Sequence, residues 1–435
     1  MADWNAYYAS HTASPEEAVG LIRSGDRVVV GHACGEPSCL LDALVQNAAA
    51  YENVEIVHMV AMGKAEYCRP EYAGAFRHNA LFVGGATRDA VFEGRGDFTP
   101  CFFWEVPGFF RDPDVLPVDV ALIQVTPPDE NGNCSLGVSV DYTYQAVQQA
   151  RTVIAQVNDQ MPFTLGLHST VPVEQITCFV PRGTPVIELS PPSIGPVEEA
   201  IGRNCAALIR DGDTLQLGIG AIPDAVLRFL GDKNDLGIHS EMFSDGVVEL
   251  VERGVINNRR KTLQPGKSVA AFLMGTRRLY DYAHRNPAVM MAPVDYVNDP
   301  RVICQNDNMV SINSCVQVDL MGQAASETVG YKQISGTGGQ VDFIRGAAMS
   351  RGGRSILAFP STVKGRTSKI VPLLDEGAAV TTSRDDVDYV VTEYGAAHLK
   401  GRTLRDRARA LIQIAHPDFR PDLIRHFIRR FHCDW

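Results

Sequence analysis

The run Leu236-Gly237-Ile238-His239-Ser240-Glu241-Met242-Phe243-Ser244-Asp245-Gly246 sets a carboxylate directly after a short apolar stretch and directly before a helix start. Leu236 to His239 reads as a strand, and Asp245 as the cap of a helix through Val247, Val248, Leu250 and Val251 that ends at Gly254. Glu241 then falls in the turn above a sheet edge, where open α/β sheets collect their ligands. A carboxylate is already ionised at pH 7, so it can act as a nucleophile without an attached base. The plain alternative is an exposed turn glutamate. Glu36, Glu130 and Glu393 compete on similar grounds. Glu130, in Pro127-Pro128-Asp129-Glu130-Asn131-Gly132, reads mainly as part of a hairpin turn with Asn-Gly at its tip.

Two glycine-rich loops can offer backbone N–H groups to an oxyanion or a phosphate. Gly218-Ile219-Gly220-Ala221 follows a strand and opens a helix, and Ser335-Gly336-Thr337-Gly338-Gly339-Gln340 is the second. Neither is followed by the acidic partner of a dinucleotide fingerprint. Gly266-Lys267-Ser268 imitates the end of a phosphate-binding loop, but Lys261 stands where its first glycine is needed. From Val310 to Asp319 the residues alternate, with Ser311, Asn313, Cys315, Gln317 and Asp319 on one face. Such a polar row is either a solvated sheet edge or the floor of a site. Cys34 beside His32 has the spacing of a thiol and a base on one face of an extended chain; a buried packing cysteine is the plainer reading. No G-x-S-x-G elbow offers a serine nucleophile.

These groups must be held by elements the sequence also spells out. Ser14-Pro15-Glu16-Glu17 is a capping box with proline at the first helical position, predicting a helix to about Arg23 and a stop at Gly25. A strand Arg27–Val30, a loop from Gly31 to Pro37 and a helix through Leu40, Leu41, Ala43 and Leu44 follow. The pattern recurs 187 residues later: Leu21-Ile22-Arg23-Ser24-Gly25-Asp26 becomes Leu208-Ile209-Arg210-Asp211-Gly212-Asp213. The strand Thr214–Leu217, the glycine loop and a helix from Asp224 to Leu230 complete the copy. A period this long is two related domains rather than a solenoid. Pro181 to Ser193 is the densest proline cluster between the copies, which places the domains at 1–185 and 186–435. Apolar runs at Val120–Val125, Val269–Leu273, Ile356–Phe359 and Tyr389–Thr392 alternate with helical segments and predict open α/β sheets covered on both faces. Thr403 to Phe431 reads as helices broken near His416-Pro417, with its arginines on a solvated face.

Composition narrows the function classes. The 435 residues carry 40 Lys and Arg against 51 Asp and Glu, a formal charge of -11. That field repels a polyphosphate backbone, so no nucleic-acid partner is expected. The ten cysteines include no C-x-x-C pair, so no metal site is expected and most thiols should be reduced and buried. Met1-Ala2-Asp3-Trp4-Asn5 opens no signal peptide, and no stretch nears the ~20 apolar residues of a membrane span. The expected address is the cytoplasm, without membrane attachment.

Taken together, these motifs resemble the acetyl-CoA hydrolase/transferase family, and within it the 4-hydroxybutyrate and butyrate-type CoA-transferases. The resemblance spans nearly the whole chain. It rests on Pro127 to Gly137, on Ile238-His239-Ser240-Glu241-Met242 with Ser244-Asp245-Gly246, on Ser311-Ile312-Asn313-Ser314, on Gly338-Gly339-Gln340-Val341-Asp342-Phe343, on Val391-Thr392-Glu393-Tyr394-Gly395 and on Ile414 to Arg420. It implies two similar α/β domains of CoA-transferase (NagB/RpiA-like) type with the active site between them, and a homodimer. It implies that CoA moves from an acyl-CoA such as acetyl-CoA to a short-chain acid such as 4-hydroxybutyrate or butyrate. The itaconate or succinate type and an acyl-CoA hydrolase on the same scaffold are the alternatives. Glu241 matches the family's nucleophile, which passes through a glutamyl-CoA thioester. By the same resemblance Asn313 and the Gly338 backbone serve the substrate carbonyl, and the amides of Gly220, Ala221 and Ile222 the glutamyl carbonyl. Gly218, Gly336, Gly339, Gln340 and Lys364 join them in holding CoA. CoA thioesters are substrates in this scheme, and no permanently bound cofactor is implied. The loop His32-Ala33-Cys34 and the aromatics Phe102, Phe103, Phe109 and Phe110 carry no readable acceptor pattern; the aromatics are first of all core residues.

Overall fold

The computed structural model describes residues 4–435; Met1, Ala2 and Asp3, on which the signal-peptide expectation bears, lie outside the described residues. The chain forms two compact units, Met1–Leu189 with Val269–Val297, and Ser190–Ser268 with Asn298–Trp435.

The first unit is built on seven strands: β1 (Arg27–Val30), β2 (Val54–His58), β3 (Phe76–Ala80), β4 (Gly96–Phe98), β5 (Val120–Val125), β6 (Thr152–Val157) and β7 (Cys178–Pro181). They lie in the order β4-β3-β2-β1-β5-β6-β7 and every ladder is parallel. Parallel sheets need cover on both faces, and the continuous apolar runs Val28-Val29-Val30 and Val120 to Ile123 supply it; all of these residues are buried. Helix α1 (Pro15–Val19) has the expected capping box, with Glu17 N bonded to Ser14 Oγ and Ser14 N to Glu17 Oε2. It stops at Gly20, short of the predicted Arg23; Gly20 itself keeps helical backbone angles, and its N–H donates to Glu16 O. Helix α2 (Ser38–Gln46) places Leu40, Leu41 and Leu44 against Val28, Val30, Ile56 and Val120 in one apolar cluster. Each such fully buried side chain contributes roughly 1.5–3 kcal/mol. The predicted run Val269–Leu273 is interrupted at Ala271, leaving the short strands Ser268–Ala270 and Phe272–Leu273.

The second unit repeats the plan with β8 (Thr214–Leu217), β9 (Gly237–Ile238), β10 (Met309–Asn313), β11 (Arg354–Ala358), β12 (Tyr389–Thr392) and β13 (Gly395–His398), ordered β9-β8-β10-β11-β12-β13. All ladders are parallel except β12 with β13. Its helices include α3 (Pro196–Ala206), α4 (Ala221–Arg228), α5 (Asp245–Glu252) and α6 (Gln340–Met349). Helix α4 begins three residues before the predicted Asp224, since Gly220, at φ +115°, turns the chain directly into the helix. The predicted alternation from Val310 to Asp319 is not one strand. The ladder to β11 ends where Asn313 pairs with Leu357, and Val318 and Asp319 pair instead with Ile370 and Val371 in a separate small sheet. The chain closes with helices Leu404–Ile414 and Arg420–Phe431, interrupted at His416-Pro417 as the sequence predicts. No helix among the described residues is long and apolar enough to cross a membrane.

The duplicated sequence is a duplicated device. In both units a glycine at nearly the same positive φ, Gly25 at +81° and Gly212 at +80°, precedes the matching strand, β1 or β8. Its N–H donates across to the next strand connection, Gly25 to Glu52 O and Gly212 to Asn234 O, each at 2.9 Å. The following aspartate accepts from the backbone three residues upstream, Asp26 from Arg23 N at 2.8 Å and Asp213 from Arg210 N at 2.7 Å. Each also pairs with an arginine at the start of a strand two places along the sheet: Arg151 for Asp26, Arg354 for Asp213. The sequence pattern therefore encodes the entry into the strand, including the αL residue that only glycine takes up readily.

Candidate active site

In the second unit β9, β8 and β10 are parallel neighbours, spaced by the usual ~4.8 Å of a ladder. Their carboxyl ends lead into Glu241, into Gly218 to Gly220, and into Asn313, so three segments far apart in sequence converge at one sheet edge. The turn carrying Glu241 is tied to the adjoining strand. His239 N donates to Leu215 O at 3.1 Å, Ser240 Oγ donates to Leu217 O at 3.0 Å, and Leu217 N lies 3.3 Å from the same hydroxyl. The helix that follows starts with Asp245 as its first residue and Ser244 in the cap position, one residue from the predicted cap.

Glu241 is half-buried rather than exposed. Asn298, wholly buried, donates from Nδ2 to Glu241 Oε2 at 2.8 Å and lies 3.4 Å from Asp342 Oδ2. Gly338 takes a positive φ of +53°, and Gly339, in the cap position of α6, brings its backbone against the same carboxylate. A β-carbon at Gly339 would collide with Glu241 Oε2 and Asn298 Nδ2. Glycine here is a close-approach residue.

The polar row on β10 is interior. Ser311 is buried and donates to Gln216 Oε1 at 2.8 Å, while Asn313 Nδ2 donates to Ser311 Oγ at 2.8 Å and to Gln216 Oε1 at 3.2 Å. β10 lies in the middle of the sheet, so the solvated-edge reading is overturned. Asn313 spends both amide hydrogens inside this network. Serving a substrate oxygen requires releasing one, and the longer bond to Gln216 is the weaker of the two.

The remaining predicted residues fall into two groups. Gly218, Gly220, Ala221 and Ile222 form the half-buried loop and first turn of α4; a β-carbon at Gly218 or Gly220 would meet nothing within 4 Å. Gly336 is buried in the loop before α6. The Gln340 side chain turns inward, donating to Ser326 Oγ at 2.8 Å and Thr382 Oγ1 at 2.9 Å. Lys364 is exposed, at φ +50°, on the tip of a hairpin joining Thr362–Val363 to Thr367–Ser368.

Of the competing glutamates, Glu393 and Glu36 have structural work. Glu393 accepts from Ser361 N at 2.9 Å and Ser361 Oγ at 2.5 Å, and Glu130 is exposed in a turn closed by Asp129 N to Asn133 O. Glu36 is buried and accepts from the N–H groups of Met62 and Gly63, each at 3.1 Å; burial pushes its pKa up. Cys34 is buried, and loss of solvation pushes its thiol up to about 11. His32 faces Asp141 instead, at 3.2 Å. Phe103 and Phe110 are buried against Tyr142, as core residues.

Sequence reasoning missed Asn298, Gln216 and Ser240. Ser240 and Gln216 sit in the motifs already quoted and were readable by strand alternation. Asn298 carried no signal: Asn298-Asp299-Pro300 reads only as a helix start, and Asp299 does cap the helix Pro300–Ile303.

Comparison with known proteins gives the family. Residues 2–188 match the acetyl-CoA hydrolase/transferase N-terminal domain and residues 275–427 the C-terminal domain of the same name. The 4-hydroxybutyrate coenzyme A transferase of Clostridium kluyveri is 63% identical over 99% of this chain and 100% of its own length. A succinyl-CoA:acetate/propanoyl-CoA:succinate CoA transferase of Fasciola hepatica is 46% identical over 94% of this chain and 86% of its own. The crystal structure of a 4-hydroxybutyrate CoA-transferase from Porphyromonas gingivalis superimposes with a TM-score of 0.85 at 45% identity, covering 99% of this chain and 100% of that one. Two family domains in order, with relatives 63% and 46% identical over nearly the whole chain, mean that the chain belongs to the acetyl-CoA hydrolase/transferase family.

Proposed function

We propose that this enzyme, an acyl-CoA:carboxylate CoA-transferase, works through a covalent glutamyl-CoA thioester on Glu241 and accepts 4-hydroxybutyrate or a similar short-chain acid. The observation that carries the reading is the Glu241 carboxylate itself, held at the carboxyl end of β9 against Asn298 and the Gly339 backbone. The similarity to the Clostridium kluyveri transferase supports the choice of acid.

In this scheme a Glu241 oxygen attacks the acyl-CoA carbonyl, the C–S bond breaks, and CoA thiolate leaves behind a mixed anhydride. The thiolate then attacks the glutamyl carbonyl, releasing the first acid and leaving the thioester on Glu241. A second carboxylate reverses both steps and departs as the new acyl-CoA. The thioester bond is passed on rather than hydrolysed, so no ATP enters. Each tetrahedral intermediate carries an oxyanion, and a well-placed donor for it is worth about 10²–10³ in rate. Asn313 and Gly338 serve the substrate carbonyl, and the Gly220, Ala221 and Ile222 amides the glutamyl carbonyl. Remote contacts to CoA then supply binding energy for the covalent steps.

The test is incubation with acetyl-CoA alone, then borohydride reduction and peptide mass analysis, alongside turnover with a panel of carboxylic acids. Reduction at Glu241 and CoA transfer to 4-hydroxybutyrate are expected. Steady CoA release without added acid, at the rate seen with acid, would make the enzyme a hydrolase and overturn the proposal.

A further inference from the structure

Lys261, the residue that breaks the phosphate-loop match, is buried (5% exposed) beside the strand that leads to the nucleophile. That strand, β9, is the edge of its sheet and only two residues long. Its inner side is a ladder: Gly237 N donates to Asp213 O at 2.9 Å, and His239 N to Leu215 O at 3.1 Å. The backbone groups of Ile238 face the other way, where the sheet ends, and buried groups there need partners from elsewhere. Two side chains supply them. Asn258 Oδ1 accepts from Ile238 N at 2.8 Å, and Lys261 Nζ donates to Ile238 O at 2.7 Å. Both are tied back into their own loop. Asn258 Nδ2 donates to Ser268 Oγ at 3.0 Å, and Lys261 Nζ to Lys267 O at 2.6 Å. Gly237 makes room, since a β-carbon there would strike Lys261 Cγ. Burial alone pushes the Lys261 ammonium down to about 7. A buried ammonium is costly, and an apolar side chain of similar length would fill the space with less penalty. What the apolar chain lacks is a donor for Ile238 O.

We propose that Lys261 is a positioning residue for the nucleophile, acting through the Ile238 carbonyl to fix the end of β9 that leads into Glu241. This rests on Glu241 being the covalent nucleophile. Only His239 and Ser240 separate Ile238 from Glu241, and their bonds, His239 N to Leu215 O and Ser240 Oγ to Leu217 O, hold this end from the β8 side alone. Without a donor at Ile238 O the edge can swing about that ladder, or let water in to satisfy the carbonyl. Either movement reaches the carboxylate, and attack on a thioester tolerates little misplacement. Lysine suits the task in both of its protonation states. Even a neutral amine has two hydrogens, one for Ile238 O and one for Lys267 O. The 258–268 loop is thus a bracket that stands in for the missing outer strand.

The test compares Lys261→Met and Lys261→Gln with the wild type, by steady-state kinetics and by the rate at which acetyl-CoA makes Glu241 reducible by borohydride. Methionine fills the aliphatic stem without a donor; glutamine offers an amide donor one atom short. Thermal melting and CoA titration monitor folding. We expect kcat and the labelling rate to fall about 10–10²-fold in Lys261→Met and less in Lys261→Gln, with the acetyl-CoA KM within twofold of wild type. Melting should rank the variants the other way, with Lys261→Met at least as stable as Lys261→Gln, because an apolar chain suits a buried site. A space-filling lysine would make rate follow stability, with Lys261→Met the faster of the two, and that result overturns the inference. Where Lys261→Met does not fold, Gly237→Ala decides. It keeps every donor but drives a β-carbon into the lysine stem, so labelling should slow, and labelling at the wild-type rate overturns the inference. If wild-type Glu241 is labelled and Lys261→Met is labelled equally fast, the positioning role is overturned while the function stands. If wild-type Glu241 is never labelled, the covalent reading falls and this inference with it.

Discussion

Gly339 and Glu241 are so close that a β-carbon on the first would overlap the carboxylate of the second, although 98 residues separate them in sequence. The loop before α6 thus serves as the wall against which the nucleophile rests. Gly339→Ala should displace Glu241 by a fraction of an ångström to an ångström. Misplacement on that scale lowers kcat by about 10²-fold, with little loss of CoA affinity. Steady-state kinetics and CoA titration check it; a rate within twofold of wild type would show that the contact does not matter.

Cys34 provides the contrasting case. With its thiol pushed up to about 11, only about one molecule in 10³ carries a thiolate at pH 8. Cys34→Ser should retain most transferase activity, and iodoacetamide at pH 8 should not inactivate the wild type through this residue. Glu241→Ala, in parallel, should abolish transfer. The reverse pattern would move the chemistry to the thiol.

The two copies of the strand-entry device differ in burial, and that difference is measurable. Asp213 and its partner Arg354 are both buried, whereas the Arg151 side chain opposite Asp26 is 38% exposed. Asp213→Asn leaves a buried guanidinium without its counter-charge, a loss of about 3–5 kcal/mol. Asp26→Asn should cost about 1 kcal/mol or less, near the value for exposed pairs. Urea unfolding of both variants tests the asymmetry; equal losses would refute it.

Acid should loosen the first unit through its buried histidines. Burial holds His78 down at about 4 against an ordinary 6.5, and pushes His58 in the same direction. Between pH 6.5 and 4 the unfolded chain takes up a proton that folded His78 refuses. The stability contribution is therefore intact above pH 6.5 and is lost as pH falls through this window. For His78 the loss at pH 5 is about 2 kcal/mol. His78→Leu should flatten the fall in unfolding free energy between pH 7 and 5 by about that amount, and an unchanged slope would count against the assignment.

How much of this was legible beforehand follows from which interactions are local. The capping box at Ser14, the Gly-Asp strand entries and the apolar runs of the central strands were readable because each is decided within a few residues. Glu241 was readable as a candidate by its place after a strand, and Gly339 by its glycine-rich loop. The break after Asn313 was not, since both the broken strand and a continuous one share the same alternation; only the competing partner at Ile370–Val371 decides it. Asn298 was invisible for a related reason. Its meaning depends on carboxylates 57 and 44 residues away, and nothing in its own neighbourhood marks it.

The reacting groups stand at the ends of adjacent parallel strands, and that has a consequence for altering the enzyme. Their separation is ruled by the hydrogen-bond ladder, a quantity that evolution or a designer cannot easily tune, and hardly at all by loop length. Swapping exposed loops between relatives should therefore change which acid is chosen while leaving the spacing of nucleophile and amide donors untouched. Acceptor preference and chemical competence would then be separable traits in this scaffold, open to independent selection.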